Sequence, residues 1–290
     1  MGKADRDRRS AREKIAAQQA QARRTAKRRR LLLAGSSVVV VLAVVLILII
    51  VKLGQSTPAP GGTSASPAVA RQVTTVPAAT FDSVGKGSAT GLKATSGQPL
   101  LTSGGKPEVL YMGGEYCPFC AAERWAITAA LSRFGTFSGL NFIHSSPTDT
   151  YPNTPTLSFY KSSYTSKYVS FVPVEWYGQA EDGSTPFGHV YLQQPTSAQQ
   201  ALFTKYAGGS IPFVDVANQY LVPQAQYVPS DLAGLSWAQV AAAMHDPGSK
   251  VGQDIDGAAN AITAAICKVT SGKPSNVCTS PGVTKAASAI

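Results

Sequence analysis

Cys117 and Cys120 are the side chains best suited to chemistry in this sequence. They lie in the run Glu115-Tyr116-Cys117-Pro118-Phe119-Cys120. The reactive form of cysteine is the thiolate, and the positive end of a helix dipole stabilises it. Ahead of the pair, Pro107 to Met112 reads as a buried strand that ends at Gly113-Gly114. Behind it, Cys117 to Phe134 reads as a helix closed by Gly135 as its C-cap. Pro118 suits the first helical turn, where its missing N–H costs nothing. Cys117 is therefore expected at the mouth of the helix, open enough to attack a disulfide. Cys120 falls on an apolar stripe with Ile127, Leu131 and Phe134 and is expected to be shielded. One accessible and one shielded sulfur suit thiol–disulfide exchange, in which the first forms a mixed disulfide and the second resolves it. A CxxC between a strand and a helix is a stronger sign than the spacing alone. The competing readings are an inert disulfide and half of a metal site. Zinc wants further Cys or His ligands, and His144, His189 and His245 are not at ligand spacing. No metal and no cofactor is expected.

The elements that must position this pair form a mixed pattern. Leu140–His144 reads as a second strand, and 156–176, rich in β-branched and aromatic residues, as one or two more. Helices are expected at 198–206, 237–244 and 255–269, and a strand at 211–216. Interleaved strands and helices imply an α/β or α+β layered domain. Pro212 stands at the start of the 211–216 strand, the place where a proline loses no ladder bond.

Here the sequence resembles the thioredoxin superfamily, in which a cis-proline loop faces the CxxC helix. Ile211-Pro212 matches that loop, and the resemblance implies a cis peptide there. It further implies catalytic roles for Cys117, Cys120 and Pro212, with Tyr116 and Ile211 touching substrate. The run Tyr111 to Trp125, the Thr156 to Tyr160 region and the Ile211-Pro212 turn are also similar to an uncharacterised thioredoxin-like family, the domain of unknown function 929. That likeness covers most of residues 81–290 and implies a fold without a substrate. Three departures stand out. Tyr116 replaces the tryptophan usual before the first cysteine. Tyr111 replaces the buried acid six residues before it, for which Glu115 or Glu123 are candidate substitutes. The 92 positions from Cys120 to Pro212 imply an insertion over much of His144 to Gln200. Its aromatics, Tyr151, Phe159, Tyr160, Tyr164, Tyr168, Phe171, Trp176 and Tyr177, read mainly as core, with a partner groove as the alternative.

Charge places the domain. Residues 1–30 hold twelve of the 26 Lys and Arg and three of the 16 acids, so +9 of the net +10 belongs to this tail. Leu31–Val51 follows without a charge. As a helix it would span about 31 Å, the thickness of a bilayer's hydrocarbon core. The positive-inside rule then keeps 1–30 in the cytoplasm. Anionic lipid accounts for the tail's charge, and no nucleic-acid partner is expected. Residues 52–80, rich in Pro, Gly, Ser, Thr and Ala, read as a flexible linker. The expected organisation is thus a cytoplasmic tail (1–30), a transmembrane helix (31–51), a linker (52–80) and an extracytoplasmic domain (81–290). An oxidising compartment and an even count of cysteines favour a structural disulfide between Cys267 and Cys278. A second redox pair relaying electrons, or a bond from Cys267 to the CxxC, are the alternatives.

Together these readings imply a membrane-anchored thiol–disulfide oxidoreductase in the cell membrane, acting on cysteine-containing envelope or secreted proteins and served by a membrane redox partner. The rival is a non-catalytic binding or structural module with an inert Cys117–Cys120 bridge.

Overall fold

Strand β3 (Lys106–Gly114) is buried on both faces from Glu108 onward, as its apolar run requires of a central strand. The computed structural model describes residues 67–183 and 185–290. Earlier in the chain come α1 (Pro67–Thr74), α2 (Ala78–Val84), β1 (Lys93–Ala94) and β2 (Thr102–Ser103). After β3 come α3 (Pro118–Ser132), β4 (Gly135–Ser138), β5 (Asn141–His144), β6 (Pro155–Ser158), β7 (Ser163–Ser166), β8 (Ser170–Glu181), β9 (His189–Tyr191) and α4 (Ser197–Ala207). The chain closes with β10 (Phe213–Val216), β11 (Tyr220–Val222), α5 (Trp237–Ala243), α6 (Lys250–Val269), α7 (Ser275–Cys278) and α8 (Pro281–Ala286).

The main sheet has the order β1-β11-β10-β3-β8-β9, with β2 paired to the start of β3. β3 and β8 run parallel, joined through α3, whereas β10 lies antiparallel to β3 on its other side. Side chains alternate across the sheet. Val109, Tyr111, Val214 and Val216 enter one core with α3 and α6. Leu110, Met112, Phe213 and Leu221 enter a second core with Phe203 of α4. The sheet is thus a layer between helices, the mixed α/β architecture expected from the interleaved pattern. Alanines on α3 (Ala122, Ala126, Ala129) and on α6 (Ala258, Ala261, Ala265) are buried together, so the two helices meet through small side chains.

Between α3 and β8 the chain makes two antiparallel ladders, β4 with β7 and β5 with β6. Phe137, Phe159, Tyr164 and Phe171 pack ring against ring there, with centroids 4.8–6.0 Å apart. These aromatics are core or partly buried side chains. Trp125 on α3 donates its indole N–H to Pro155 O at 2.9 Å, and Thr156 donates its hydroxyl to Ala121 O at 2.8 Å. Both bonds dock the β5–β6 ladder on α3.

Two boundaries differ from the sequence reading. Gly135 is not the C-cap of α3; Arg133 is, in right-handed conformation. Gly135 instead opens β4, where a Cβ would stand 2.3 Å from Thr165 O, so only glycine lets the two strands approach. The folded domain also starts before Phe81. Val73 of α1 and Phe81 of α2 are buried in the main core, and Asn260 of α6 donates to Phe81 O (2.8 Å) and Gly85 O (2.7 Å). The stretch 67–80 has no aromatic residue and its apolar side chains are small or β-branched, which concealed the burial of Val73. The expected tail, membrane span and first part of the linker lie outside the described residues. Among the described residues no helix is long and apolar enough to cross a membrane. Cys267 and Cys278 are bonded to each other, with Cα atoms 5.5 Å apart, and join the end of α6 to α7.

Candidate functional site

The site begins where β3 ends. Gly114 carbonyl accepts the Cys117 N–H at 3.2 Å, and the Glu115 N–H donates to Tyr177 O of β8 at 2.8 Å. The turn is close-packed: a Cβ on Gly114 would lie 2.9 Å from the Tyr116 ring and 3.3 Å from Tyr177 Cβ. The turn delivers Cys117 to the N-cap of α3 in extended conformation (φ −75°, ψ 122°), with Pro118 beginning the helix. Its sulfur accepts the Cys120 N–H at 3.3 Å. A sulfur in this position satisfies an otherwise unpaired amide and stands in the positive field of the helix end.

Neither sulfur of the pair is bonded to another cysteine. Cys120 is 0% exposed, as its place on the helix predicts. Cys117 is only 6% exposed, which differs from the open sulfur expected of it. It belongs to an apolar cluster with Tyr116, Trp176 and Tyr177, with Ile211 packed at its edge. The β8–β9 hairpin closes this cluster. Tyr116 stacks on His189 at 3.9 Å and 10°, and Phe187 stands 6.5 Å from Tyr116 and 5.1 Å from Tyr177. Beyond it lie exposed aromatics, Phe187, Tyr191 and Phe119.

The two thiols ionise differently. Hydrogen bonding from Cys120, by side chain and backbone N–H, lowers Cys117 below the ordinary thiol value, against the effect of burial, and Arg124 adds to the lowering. Burial first, then the neighbouring Cys117, pushes Cys120 well above it. The arrangement favours negative charge on the outer sulfur and a proton on the inner one.

Beneath the cysteines lies a fully buried ion pair. Arg124 donates from Nε to Glu175 Oε1 at 2.9 Å and from Nη2 to Glu175 Oε2 at 2.7 Å, with both side chains 0% exposed. Nη2 also donates to Gly114 O at 2.7 Å, the same carbonyl that the Cys117 N–H uses. The guanidinium lies 5.7 Å from the Tyr111 ring centroid. Its Nη1 and the Tyr111 hydroxyl are buried without a hydrogen-bond partner among the described residues. Of the two acids considered as proton acceptors, Glu115 accepts from the Ser158 hydroxyl at 2.6 Å, and burial raises its pKa. Glu123 accepts the Gln226 N–H at 2.9 Å, and burial raises it to about 7.

Ile211–Pro212 is a cis peptide. Phe213 pairs with Met112, so Pro212 lies one step further along, at the sheet end where Gly113 and Gly114 lead to Cys117. The structure therefore brings Tyr116, Cys117, Cys120 and Ile211 into one cluster, with Pro212 adjacent in the chain. Cys267 packs in the other core, on the α3–α6 side. Sequence reasoning missed Arg124 and Glu175. The signal was present: Glu123-Arg124 are the only charges in a helix that has no polar stripe to hold them.

The sequence profile of one family, described as a domain of unknown function (DUF929), matches residues 94–268. No curated protein and no solved structure is significantly similar to the chain.

Proposed function

The chain belongs to the DUF929 family, whose description carries no activity, and from the geometry of the cysteine pair we propose that it is a thiol–disulfide oxidoreductase of thioredoxin-like fold. The observation that carries the reading is the Cys117 sulfur at the N-cap of α3, accepting an amide while the unlinked Cys120 lies fully buried behind it. A CxxC at such a place in a βαβ unit is the sequence sign of thioredoxin-like redox chemistry. Here β3, α3 and the parallel β8 make that unit, and Pro212 opens the strand on the other side of β3.

In the reductive direction the Cys117 thiolate attacks one sulfur of a client disulfide. A mixed disulfide forms and the client's other sulfur leaves as a thiolate, which takes a proton. Cys120 then loses its proton and attacks Cys117, releasing the second client thiolate. The net change converts one client disulfide and two thiols of this chain into two client thiols and a Cys117–Cys120 disulfide. The same steps reversed oxidise a client dithiol. Clients would be cysteine-containing envelope or secreted proteins, touched by Tyr116, Ile211 and Pro212. The basic tail and the apolar 31–51 segment support placement in the cell membrane with this domain outside the cytoplasm and a membrane redox partner. The low exposure of Cys117 favours a second reading, a binding scaffold that has no exchange chemistry.

Alkylation of the reduced full-length chain over a range of pH decides between them. Exchange chemistry expects Cys117 to be labelled first, with a midpoint below the free value of about 8.5, and Cys120 only after unfolding. Absence of any reactive thiol in the folded chain leaves the scaffold reading.

A further inference from the structure

A guanidinium and a carboxylate that are both fully buried need a reason beyond stability, because well-packed apolar residues often serve a core as well or better. The site of this pair supplies one. Arg124 is one turn after Cys120 on α3, and Glu175 lies on β8, the strand parallel to β3. The guanidinium is directed toward the cysteine end of the sheet by its bond to Gly114 O, whose second donor is the Cys117 N–H. The carboxylate is held from the other side, by the Phe159 N–H at 3.1 Å. One face of the guanidinium therefore serves Glu175, and Nη1 is left as a buried donor without a partner among the described residues.

We propose that Arg124, fixed by Glu175, is the counter-charge of the cysteine pair, a positioning residue that stabilises the anionic form of Cys117. The inference rests on the exchange reading above and names what tunes that same site. Its chemistry is electrostatic. A fixed cation close to a thiolate in a poorly solvated place lowers the cost of the charge. Arg124 acts on both Cys117 and Cys120, whereas Glu175 is felt by Tyr111 and Glu115. The other groups facing the pair are Tyr111 on β3, Glu115 and Tyr116 in the turn, Tyr177 on β8, His189 on β9 and, acting on Tyr116, Asp149 after β5. None of these is a permanent cation. A tyrosine in the position six residues before Cys117 fits this arrangement, since its ring lies beside the guanidinium without competing for it as an acid would.

The test measures the pH midpoint of Cys117 alkylation in the reduced full-length chain, with circular dichroism to verify folding. Glu175→Gln removes the negative partner but keeps an oxygen for Arg124, and the midpoint is expected to fall. Arg124→Met combined with Glu175→Gln removes both charges without stranding either, and the midpoint is expected to rise by about one pH unit, a roughly tenfold loss of rate below it. Arg124→Lys keeps the charge and is expected to restore most of the wild-type midpoint. A purely structural pair would instead move every variant toward the free-thiol value. The inference is overturned if Glu175→Gln raises the midpoint or leaves it unchanged, a result that stands even if the double variant fails to fold. A wild-type midpoint at the free-thiol value removes the exchange reading itself, and the inference with it; a depressed wild-type midpoint with unmoved variants removes the inference alone.

Discussion

Replacing Glu123 by glutamine tests the electrostatics of the helix that carries the cysteines. The Glu123 side chain is 0% exposed, accepts a single N–H from Gln226, and its Oε1 has no partner among the described residues. Burial raises its pKa from the ordinary 4.5 to about 7. In the unfolded chain the carboxyl ionises near 4.5, whereas in the folded chain it keeps its proton until about 7. The folded state therefore binds more protons between these values, and stability falls as pH rises through that window. The difference corresponds to about 3 kcal/mol, absent below 4.5 and complete above 7. For a domain of this size that is a Tm decrease of about 6–12 °C from pH 5 to pH 8 attributable to one side chain. Glu123→Gln removes it. The variant's amide group lacks an acceptor and lowers stability by about 1–3 kcal/mol at every pH, so the informative quantity is the slope rather than the level. Thermal unfolding of both proteins from pH 4.5 to 8.5 gives that slope. Asp215 (raised to about 6) and Asp256 (raised to about 8), both by burial, and the Cys117 thiol titrate in both proteins and cancel in the comparison. Equal slopes in the two proteins would show that Glu123 is ionised in the fold and would refute the argument from burial.

Three further outcomes are expected. Replacing Cys267 and Cys278 together by serine opens a loop with a sequence separation of 11 and lowers stability by about 3 kcal/mol in the chain-entropy model, read by denaturant unfolding. Gly135→Ala forces a Cβ toward Thr165 O and separates β4 from β7; a loss of roughly 1–3 kcal/mol is expected, and an unchanged midpoint in urea would contradict the close approach. Trp125→Phe strands the Pro155 carbonyl and is expected to cost about 1–3 kcal/mol, with faster hydrogen exchange in β6, while an exchange pattern like that of the wild type would show that the bond holds nothing.

The sequence shows β3, α3, α4, α5 and β10 to within a few residues, because each is marked by local chemistry: an apolar run, a proline at a helix or strand start, a Thr or Ser cap. It conceals elements whose formation depends on distant partners. β1 and β9 are two and three residues long and exist only through pairing with β11 and β8. α1 and the first residues of α2 read as linker because no aromatic residue comes before Phe81, although Val73 and Thr80 find burial. At the site, the cysteines and Pro212 are visible as types at recognisable spacings. The Arg124–Glu175 pair joins residues 51 positions apart, and no local pattern announces such a partner. The cover over Cys117 is hidden for the same reason: His189 and Tyr177 reach Tyr116 only through the β8–β9 hairpin.

The clasp of Asn260 on the carbonyls of Phe81 and Gly85 has a mechanical consequence. Traction on the chain ahead of Pro67 enters through α1 and α2 and passes by this amide into α6, whose far end is covalently fastened at Cys278. Because α1 also packs on α3, the same load reaches the helix that begins at Cys117, so tension on that side is felt by the cysteine pair's own helix.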